Sequence, residues 1–263
     1  MTTINQFGTI GSMRRSRITI TLKQQLVEDL DRLVDGEKIR NRSHAIEYIV
    51  DRFFQPIIKK AVIMAGGRGT EISTAVIESL IVNLKKSHIT DIVICIGYDG
   101  EKIRRYFSNG DKFSVKINYS SEKKPLLTGG ALLKAKNFLN NEPFLVIYGD
   151  VMTNLPFIDI VNFHEQQKAL ATIALTTVEK PEEFGQLKLH GSTLVNFYQK
   201  NKTQPVKSNL INCGIYVFQP EIFDYFPDSD KPFFLEDVIE QLTQKKKVNG
   251  FVFEEKWIDV GKT

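Results

Sequence analysis

A buried strand that runs straight into a glycine-rich turn constrains the fold of this chain more than any other feature. Residues 61–65 are apolar, and residues 66–70 read GGRGT. A turn of this kind lets the backbone present its N–H groups to a phosphate. The apolar face of a helix begins a few residues later, at Val76, Ile77, Leu80, Ile81 and Leu84. The segment therefore predicts a strand, a phosphate-binding turn and a helix in direct succession.

Strands and helices alternate along the rest of the chain. The predicted strands cover residues 57–64, 92–96, 115–119, 144–148, 171–177, 186–189, 194–198 and 211–218. Alternation of this kind is typical of a Rossmann-like α/β fold, with a mixed, mostly parallel sheet and ligands at the carboxyl ends of the strands. Residues 171–218 are richer in strands, which indicates a substrate-facing half.

Composition and charge narrow the class of protein. The chain has 263 residues and two cysteines whose spacing fits no metal site. It lacks the run of ~18 apolar residues that a membrane helix needs, and its polar N-terminus does not resemble a signal peptide. We therefore expect a cytoplasmic protein with no membrane partner. The net charge is +4, and residues 14–23 alone contribute that surplus with three arginines and one lysine.

The first fifty residues predict a small domain that is incomplete in one copy. Residues 17–22 alternate between polar and apolar side chains, as in a half-buried strand. Two helices follow, with Thr21 and Ser43 as predicted N-caps and a break at Asp35-Gly36. One strand and two short helices cannot bury a core or cover the strand's edge. Two chains that pair their strands and interlock their helices solve both problems.

This arrangement resembles the ribbon-helix-helix family of DNA-binding regulators, of the CopG-like type. The resemblance is carried by RITITL at residues 17–22 and NRS at residues 41–43. It implies a homodimer whose two-stranded ribbon enters the major groove of double-stranded DNA. The side chains that would face base edges are Arg17, Thr19 and Thr21, and the helix N-terminus at Ser43 would hold a phosphate. The alternative is a module that only pairs two chains.

Two acids follow apolar strands far apart in the sequence. Asp150 comes after residues 144–148, and Asp259 lies in the run WIDVG. Carboxylates at strand ends beside a phosphate-binding turn favour a Mg²⁺ ion held by two carboxylates and substrate phosphates.

Landmarks in residues 57–263, taken in order, resemble the sugar-1-phosphate nucleotidylyltransferases. They read AGGRGT at 65–70, GY at 97–98, PLLTGGAL at 125–132 after Glu122, GD at 149–150, FG at 184–185, FYQK at 197–200, INCGIY at 211–216 and WIDVG at 257–261. The family joins a nucleoside triphosphate to a sugar 1-phosphate, giving a nucleoside-diphosphate sugar and pyrophosphate.

The resemblance also implies roles for individual residues. The nucleotide would be held by Ala65, Gly66, Gly67, Gly69, Thr70, Glu122, Gly129 and Gly130. The sugar and its phosphate would be held by Gly185, Lys200 and Asn212, and Mg²⁺ by Asp150 and Asp259. Two positions depart from the family pattern. Gln199 stands where the family has an acid that binds sugar hydroxyls, and Leu127 replaces a usual glycine.

A larger departure follows the glycine turn. The family continues with an arginine that binds the triphosphate and a proline-rich loop whose lysine bridges the phosphates. This chain has Glu71 at the arginine position, and Ile72-Ser73-Thr74 leads directly into the next helix. Losing one such donor costs ~10²–10³ in rate, and an added carboxylate repels a triphosphate. Arg68 or a neighbouring lysine is the alternative cation.

These observations give a leading hypothesis and two competitors. The domains would be a flexible arm (1–13), a ribbon-helix-helix domain (14–56) and a nucleotidyltransferase-like domain (57–263). The leading hypothesis is a DNA-binding transcriptional regulator whose second domain binds a sugar nucleotide or a related phosphorylated ligand with weak or no catalysis. The alternative is an active sugar-1-phosphate nucleotidyltransferase that is dimerised by the small domain. A dimeric scaffold with neither activity is the third.

Overall fold

The computed structural model describes residues 17–54, 58–66, 73–97, 100–199, 208–228 and 231–262. Contacts divide the chain into two units, with the boundary between Phe54 and Gln55. The described residues form seven α-helices: α1 (Gln24–Leu33), α2 (Arg42–Phe54), α3 (Thr74–Lys86), α4 (Glu101–Phe107), α5 (Leu127–Ala135), α6 (Phe157–Gln167) and α7 (Leu235–Gln244). The strands are β1 (Lys60–Ala65), β2 (Asp91–Ile96), β3 (Lys116–Ser121), β4 (Phe144–Tyr148), β5 (Val151–Thr153), β6 (Ala171–Thr177), β7 (Gln186–His190), β8 (Thr193–Tyr198), β9 (Leu210–Phe218), β10 (Val248–Val252) and β11 (Trp257–Asp259).

In the first unit, an aspartate fixes the turn between α1 and α2. Oδ1 of Asp35 accepts hydrogen bonds from the backbone N–H groups of Glu37, Lys38 and Ile39, at 2.8–2.9 Å. These bonds, above all the one from Ile39, hold the pKa of the Asp35 carboxyl below its ordinary value. Gly36 follows with a φ of +78°, a conformation that glycine adopts without strain. The predicted break at Asp35-Gly36 is therefore confirmed.

The N-caps of both helices differ from the predicted ones. The N-cap of α1 is Lys23 rather than Thr21, and no side chain caps it. In α2 the backbone N–H of His44 donates to Oδ1 of Asn41 at 2.9 Å, so Asn41 caps this helix. Ser43 lies one residue inside α2 and has no capping role. Asparagine and serine cap equally well, and the position of the turn decides between them.

The strand predicted over residues 17–22 is not formed in the single chain. Residues 17–23 have no regular secondary structure, and their side chains are exposed. Of the side chains described in the first unit, Leu30, Ile39 and Ala45 form a buried core, with Val34 and Ile46 packed against it. An isolated strand has no hydrogen-bond partner for its backbone, which is the physical reason that one copy does not form the strand. Residues 1–13, the predicted arm, lie outside the described residues.

In the second unit, nine strands form one sheet in the order β3-β2-β1-β4-β9-β6-β10-β8-β7. The pairings β3–β2, β2–β1, β1–β4 and β6–β10 are parallel. The remaining pairings in this sheet are antiparallel. The sheet is therefore mixed, and most of its strands run in the same direction, as predicted: β8 and β9 run against the other seven strands. Apolar clusters cover both faces of the sheet.

The sheet brings distant residues to one edge. Strands β1 to β4 are parallel, so the residues that follow them, including Gly66, Gly97, Glu122 and Asp150, lie at the same edge. Strand β9 runs the other way, with Ile215 opposite Ile147. The start of β9 therefore reaches that edge too, at a point in the sheet where ligands commonly bind.

Helix α3 begins at Thr74, immediately after its N-cap Ser73, whose Oγ accepts from the backbone N–H of Ala75 at 3.2 Å. Its buried positions are those of the predicted apolar face: Val76, Ile77, Leu80, Ile81 and Leu84. The predicted helix is therefore confirmed, and it already includes Thr74, the last of the three residues that were expected to lead into it. Within the described parts of the chain, none of the helices combines the length and the apolar composition that crossing a bilayer requires.

Candidate functional site

A short two-stranded ribbon places the two predicted metal ligands side by side. Strands β5 and β11 pair antiparallel, with Asp259 opposite Val151. The backbone N–H of Val260 donates to the carbonyl oxygen of Asp150 at 2.8 Å. A Cβ on Gly261 would lie 3.2 Å from Oδ2 of Asp150 and 3.3 Å from Oδ1 of Asp259. The two carboxylates therefore converge on a space that glycine leaves open.

This carboxylate pair fits a hard divalent cation. Mg²⁺ prefers oxygen ligands and is usually held by one or two carboxylates together with substrate phosphates and water. Outside the undescribed segments, no group of three or more His, Cys, Asp or Glu side chains could hold a metal ion alone. A site with two protein carboxylates that a phosphorylated substrate completes agrees with both observations.

The two predicted sugar-side residues that are described lie next to each other. The backbone N–H of Asn212 donates to the carbonyl oxygen of Gly185 at 3.0 Å. A Cβ on Gly185 would approach Cε2 of Phe197 to 2.9 Å, so a larger residue would not fit without movement. Oδ1 of Asn212 accepts from the backbone N–H of Gly214 at 3.1 Å. Gly214 has a φ of +69° and packs against the Tyr148 ring.

One cavity of about 500 Å³ unites these groups. Its walls include Asp150, Asp259, Gly185 and Asn212. Four residues that the sequence predicted for two different roles are thus brought together, as expected for one binding site. The volume falls in the range of ~300–1,000 Å³ that small-molecule sites occupy.

Helix α7 supplies an acid to this cavity that the sequence did not single out. Glu236 lines the cavity, and its carboxylate accepts hydrogen bonds from the Tyr148 hydroxyl at 2.5 Å and the Thr128 hydroxyl at 3.0 Å. Burial, together with the Glu236 charge, raises the pKa of the Tyr148 hydroxyl well above its ordinary value. Tyr148 is therefore a neutral donor at physiological pH.

Gln199 also lines the cavity, but its amide is turned towards α7. Its Nε2 donates to Oδ1 of Asp237 at 3.1 Å and to Oε2 of Glu240 at 3.0 Å. A carboxylate at position 199 would be repelled by these two acids, whereas an amide nitrogen satisfies both. The departure from the family pattern at residue 199 therefore has a local electrostatic reason.

The predicted nucleotide side lies at the ends of β1, β2 and β3. A Cβ on Gly66 would lie 3.2 Å from the backbone nitrogen of Gly97 and 3.4 Å from Oε1 of Glu122. Gly66 and Glu122 are thus neighbours, and Ala65 ends β1 beside them. Burial raises the pKa of the Glu122 carboxyl. The 3.1 Å hydrogen bond from the Leu126 N–H and the charge of Lys134 act in the opposite direction, but they do not cancel the effect of burial.

Gly129 and Gly130 lie in the first turns of α5 and are buried. The backbone N–H groups of both donate to the carbonyl oxygen of Phe233, at 3.0 and 3.4 Å. A Cβ on Gly129 would meet the Phe233 ring at 2.3 Å. The visible reason for glycine at residue 129 is this close contact, and the amides of both glycines already have an acceptor. Their predicted role in nucleotide binding remains a prediction.

Several predicted site residues lie outside the described residues. They are Gly67, Arg68, Gly69, Thr70, Glu71 and Lys200. The predicted DNA contacts Arg17, Thr19, Thr21 and Ser43 are described, and their side chains are exposed. No finding tests these DNA contacts, which stay predictions.

Comparison with known proteins identifies the second unit. The family profile described as "Nucleotidyl transferase" matches residues 71–263. The bifunctional protein GlmU of Methanococcus maripaludis is 31% identical over 221 residues, which cover 76% of this chain and 51% of that protein. The mannose-1-phosphate guanylyltransferase catalytic subunit beta of Dictyostelium discoideum is 30% identical over 222 residues, covering 77% of this chain and 61% of that protein. The chain thus spans only about half to three-fifths of the length of these curated relatives.

Solved structures show the same fold. UDP-glucose pyrophosphorylase from Acinetobacter baumanii superposes with a TM-score of 0.66 at 19% identity, covering 78% of this chain and 89% of that one. HddC from Yersinia pseudotuberculosis gives a TM-score of 0.65 at 22% identity, covering 78% and 94%. At such identities the likeness concerns the fold alone.

These findings correct the leading hypothesis. Several relatives are named as mannose-1-phosphate guanylyltransferases, and none of the similarity findings supports DNA binding or transcription regulation. The hypothesis of a regulator with an impaired nucleotidyltransferase domain is therefore wrong, and the relatives favour the enzyme that was its alternative. The deficit that motivated it, Glu71 in place of an arginine, lies in a segment that is not described. The family profile covers well over half of the residues, and the chain belongs to the nucleotidyl transferase family.

Proposed function

We propose that this protein is an active sugar-1-phosphate nucleotidyltransferase. The observation that carries the proposal is the single cavity lined by Asp150, Asp259, Gly185 and Asn212. It combines a place for a divalent cation with a polar site large enough for a sugar phosphate. The relatives named as mannose-1-phosphate guanylyltransferases and GlmU support the same reaction class.

In this reaction a phosphate oxygen of the sugar 1-phosphate attacks the α-phosphorus of a nucleoside triphosphate. The bond to the β-phosphate bridging oxygen breaks, and pyrophosphate leaves. Transfers of this type depend on positioning and on stabilising charge at the phosphate oxygens. The protein's task is therefore to hold two anionic substrates in line, which a rigid cavity at the edge of a packed sheet favours.

Asp150 and Asp259 would hold Mg²⁺ in this site. A bound Mg²⁺ supplies positive charge to the phosphate oxygens and orients them. Gly261 supports this assignment, because any side chain there would enter the space between the two carboxylates. Asn212 and Gly185 would position the sugar, and Lys200, from its place in the sequence, would contact the sugar phosphate.

The triphosphate would lie over the glycine turn that follows β1. Gly66 and Glu122 frame the beginning of this turn, and Gly67, Gly69 and Thr70 continue it in the sequence. Arg68 is the cation that the sequence offers within the turn, in the place of the arginine that Glu71 replaces. We assign Arg68 the role of binding triphosphate oxygens.

Residues 17–54 would pair two copies of the enzyme in the ribbon-helix-helix manner. The observation that supports this pairing is the exposure of Ile18, Ile20 and Leu22, at 74%, 47% and 37%. These side chains alternate with polar ones, as on the buried face of a strand. A second copy would supply the missing strand and cover the apolar face. The small domain thus serves as the dimerisation module of the enzyme.

Pyrophosphate release tests the enzymatic proposal. The full chain is incubated with Mg²⁺, each of four nucleoside triphosphates, and glucose, mannose or N-acetylglucosamine 1-phosphate. We expect release with at least one pair, and a decrease of about 100-fold or more in Asp150→Asn, because one metal ligand is lost. The matched control is Asp159→Asn in the exposed first turn of α6, which should retain the wild-type rate.

Absence of pyrophosphate with every pair would contradict the proposal. Equal loss in Asp150→Asn and Asp159→Asn would contradict the assignment of Asp150. Chelation of the divalent cation should abolish release, and adding excess Mg²⁺ should restore it.

A further inference from the structure

Glu236 stands in the cavity without a role in the proposal above. It lies in the first turn of α7, directly after Leu235, and its side chain is half-buried. The same cavity contains Asp150 and Asn212. A partly buried carboxylate in a substrate cavity is costly unless hydrogen bonds or a ligand compensate for its lost hydration.

Two hydroxyl groups hold the Glu236 carboxylate in place. Oε1 accepts from the Tyr148 hydroxyl at 2.5 Å, and Oε2 accepts from Oγ1 of Thr128 at 3.0 Å. Oγ1 of Thr128 itself accepts from the backbone N–H of Leu235 at 2.9 Å. The single hydroxyl hydrogen of Thr128 is therefore directed at Glu236, and the carboxylate is fixed at both oxygens.

Two further hydrogen bonds lead to the Tyr148 hydroxyl, and both are donated in the direction of Glu236. Nδ2 of Asn212 donates to the Tyr216 hydroxyl at 2.7 Å, and this hydroxyl donates to that of Tyr148 at 3.4 Å. Burial raises the pKa of the Tyr216 hydroxyl well above its ordinary value, so it remains protonated. The series therefore runs in one direction, from Asn212 through two tyrosines to Glu236. Such a network fixes the orientation of an acceptor before any ligand arrives.

The carboxylate keeps acceptor capacity for a ligand. An ionised carboxylate has about four lone-pair positions, and the two hydroxyl contacts occupy one on each oxygen. Asp150, Glu183 and Asp259 also line the cavity, and no lysine or arginine is present among its described lining residues. Once a cation is bound between Asp150 and Asp259, the remaining acidic wall favours hydrogen-bond donors on the ligand.

Gln199 does not compete for this role. Its amide nitrogen already donates to Asp237 and Glu240 on the same helix. The fixed acceptor that α7 presents to the cavity is therefore Glu236.

We propose that Glu236 is the specificity-determining acceptor for the sugar: its carboxylate accepts hydrogen bonds from two neighbouring hydroxyl groups of a hexose 1-phosphate. Tyr148 and Thr128 act as positioning residues that hold it. The proposal rests on the proposed function, because it places the sugar in this cavity. The substrate class is a hexose 1-phosphate with free adjacent hydroxyls on the side that faces α7.

Calorimetric binding of sugar phosphates tests this proposal separately from catalysis. Glucose, mannose and N-acetylglucosamine 1-phosphate are titrated into the full chain with Mg²⁺, and monodeoxy analogues of the tightest binder follow. A hydrogen bond to a charged group contributes about 1.5–3 kcal/mol, or about 10- to 150-fold in affinity. We expect one or two analogues to bind the wild type weaker by that factor.

The variant Glu236→Gln should lose this discrimination, binding the parent sugar and the sensitive analogues with nearly equal, weak affinity. The matched control is Glu240→Gln, one turn further along α7, which should discriminate like the wild type. Tyr148→Phe keeps the Glu236 carboxylate but removes a hydrogen bond that orients it. Its discrimination between the parent sugar and the deoxy analogues should be intermediate between those of Glu236→Gln and Glu240→Gln. Circular dichroism checks that each variant is folded.

Wild-type discrimination in Glu236→Gln overturns the inference, as does a wild type that binds every deoxy analogue equally. Pyrophosphate release distinguishes the two proposals. Glu236-dependent binding without release supports the inference and contradicts the proposed function. Release with unchanged discrimination in Glu236→Gln supports the function and contradicts the inference.

Discussion

The two units of this molecule differ in how much of their apolar surface one chain can cover. In the second unit both faces of a nine-stranded sheet are covered, and large side chains such as Phe144 and Tyr216 are fully buried. Among the described side chains of the first unit, three form the buried core, and those of Ile18, Ile20 and Leu26 remain about half or more exposed. Among the described residues, the second unit covers its apolar surface within one chain, whereas the first unit leaves part of its apolar surface exposed.

The candidate site and the proposed dimerisation surface therefore belong to different units. Every described wall of the candidate site comes from the second unit, with contributions from β4, β9, β11 and α7. The site can therefore form in one copy. The first unit leaves apolar side chains exposed on its described surface, as the proposed dimerisation module would before it pairs.

The largest expected effect breaks the assembly and leaves the site intact. Ile20→Lys places a charge on the apolar side of residues 17–22, and the dimer would bury two such charges, one from each copy. Burying unpaired charges is strongly unfavourable. We expect the dimer dissociation constant to rise about 1,000-fold, or about 4 kcal/mol. Sedimentation velocity over a range of concentrations measures this change.

The neighbouring residue provides the matched control. Thr19 lies on the opposite side of the alternating segment, so Thr19→Lys should remain dimeric at the same concentrations. If the wild type is a monomer at every concentration, or if both variants dissociate alike, residues 17–54 do not pair the chains. Pyrophosphate release should persist in monomeric Ile20→Lys.

Strands buried on both faces could be predicted from the sequence with accurate bounds. Strand β4 begins and ends where its apolar run does, because such strands read as continuous apolar segments. Strand β6 also has the predicted bounds, although threonines interrupt and end its apolar run. Strand β10 was missed, since its sequence VNGFV contains a polar residue and a glycine. Gly250 is needed there because a Cβ would lie 2.6 Å from Leu189. A close tertiary contact of this kind leaves no signal in the pattern of apolar and polar residues along the sequence.

Some residues of the candidate site could likewise be predicted from the sequence, and others could not. Asp150 and Asp259 could be predicted, because each acid follows or ends an apolar segment, and strand ends converge at an edge. Glu236 could not, because an acid in the first turn of an amphipathic helix is ordinary helix chemistry. Its place in the cavity depends on hydrogen bonds to Tyr148 and Thr128, which are about 90 and 110 residues away in the sequence. Only the folded structure brings these groups together.

The next largest effect concerns a buried histidine in the core of the second unit. His164 on α6 is fully buried, and its ring bonds to Oγ1 of Thr172 at 2.8 Å and Nε2 of Gln219 at 3.1 Å. Burial lowers its pKa from 6.5 to about 4. Below pH 6.5 the unfolded chain binds a proton that the folded chain does not bind until about pH 4. The free energy of unfolding should therefore fall by about 3 kcal/mol over this interval.

Two histidine variants isolate this effect. His164→Gln has an uncharged amide that can replace both hydrogen bonds, and it should lose this part of the pH dependence. His190→Gln, at an exposed position at the end of β7, should keep it. Urea unfolding at pH 7, 5.5 and 4.5 measures the difference. Identical pH dependence in the wild type and His164→Gln would contradict a buried neutral histidine.

The smallest expected effect concerns a local exception within the well-packed second unit. Leu127 begins α5 with a φ of +61° and is 39% exposed. A side chain in this left-handed conformation costs ~1–2 kcal/mol, and glycine avoids that cost. We therefore expect Leu127→Gly to be more stable than Leu127→Ala by about 1 kcal/mol in urea unfolding. Within an ordinary helix alanine is more stable than glycine by a similar amount. The exposed Val82 in α3 therefore provides the control pair, and we expect Val82→Ala to be more stable than Val82→Gly. The same order at both positions would mean that Leu127 is unstrained, and that the family's glycine at this position serves the ligand rather than the backbone.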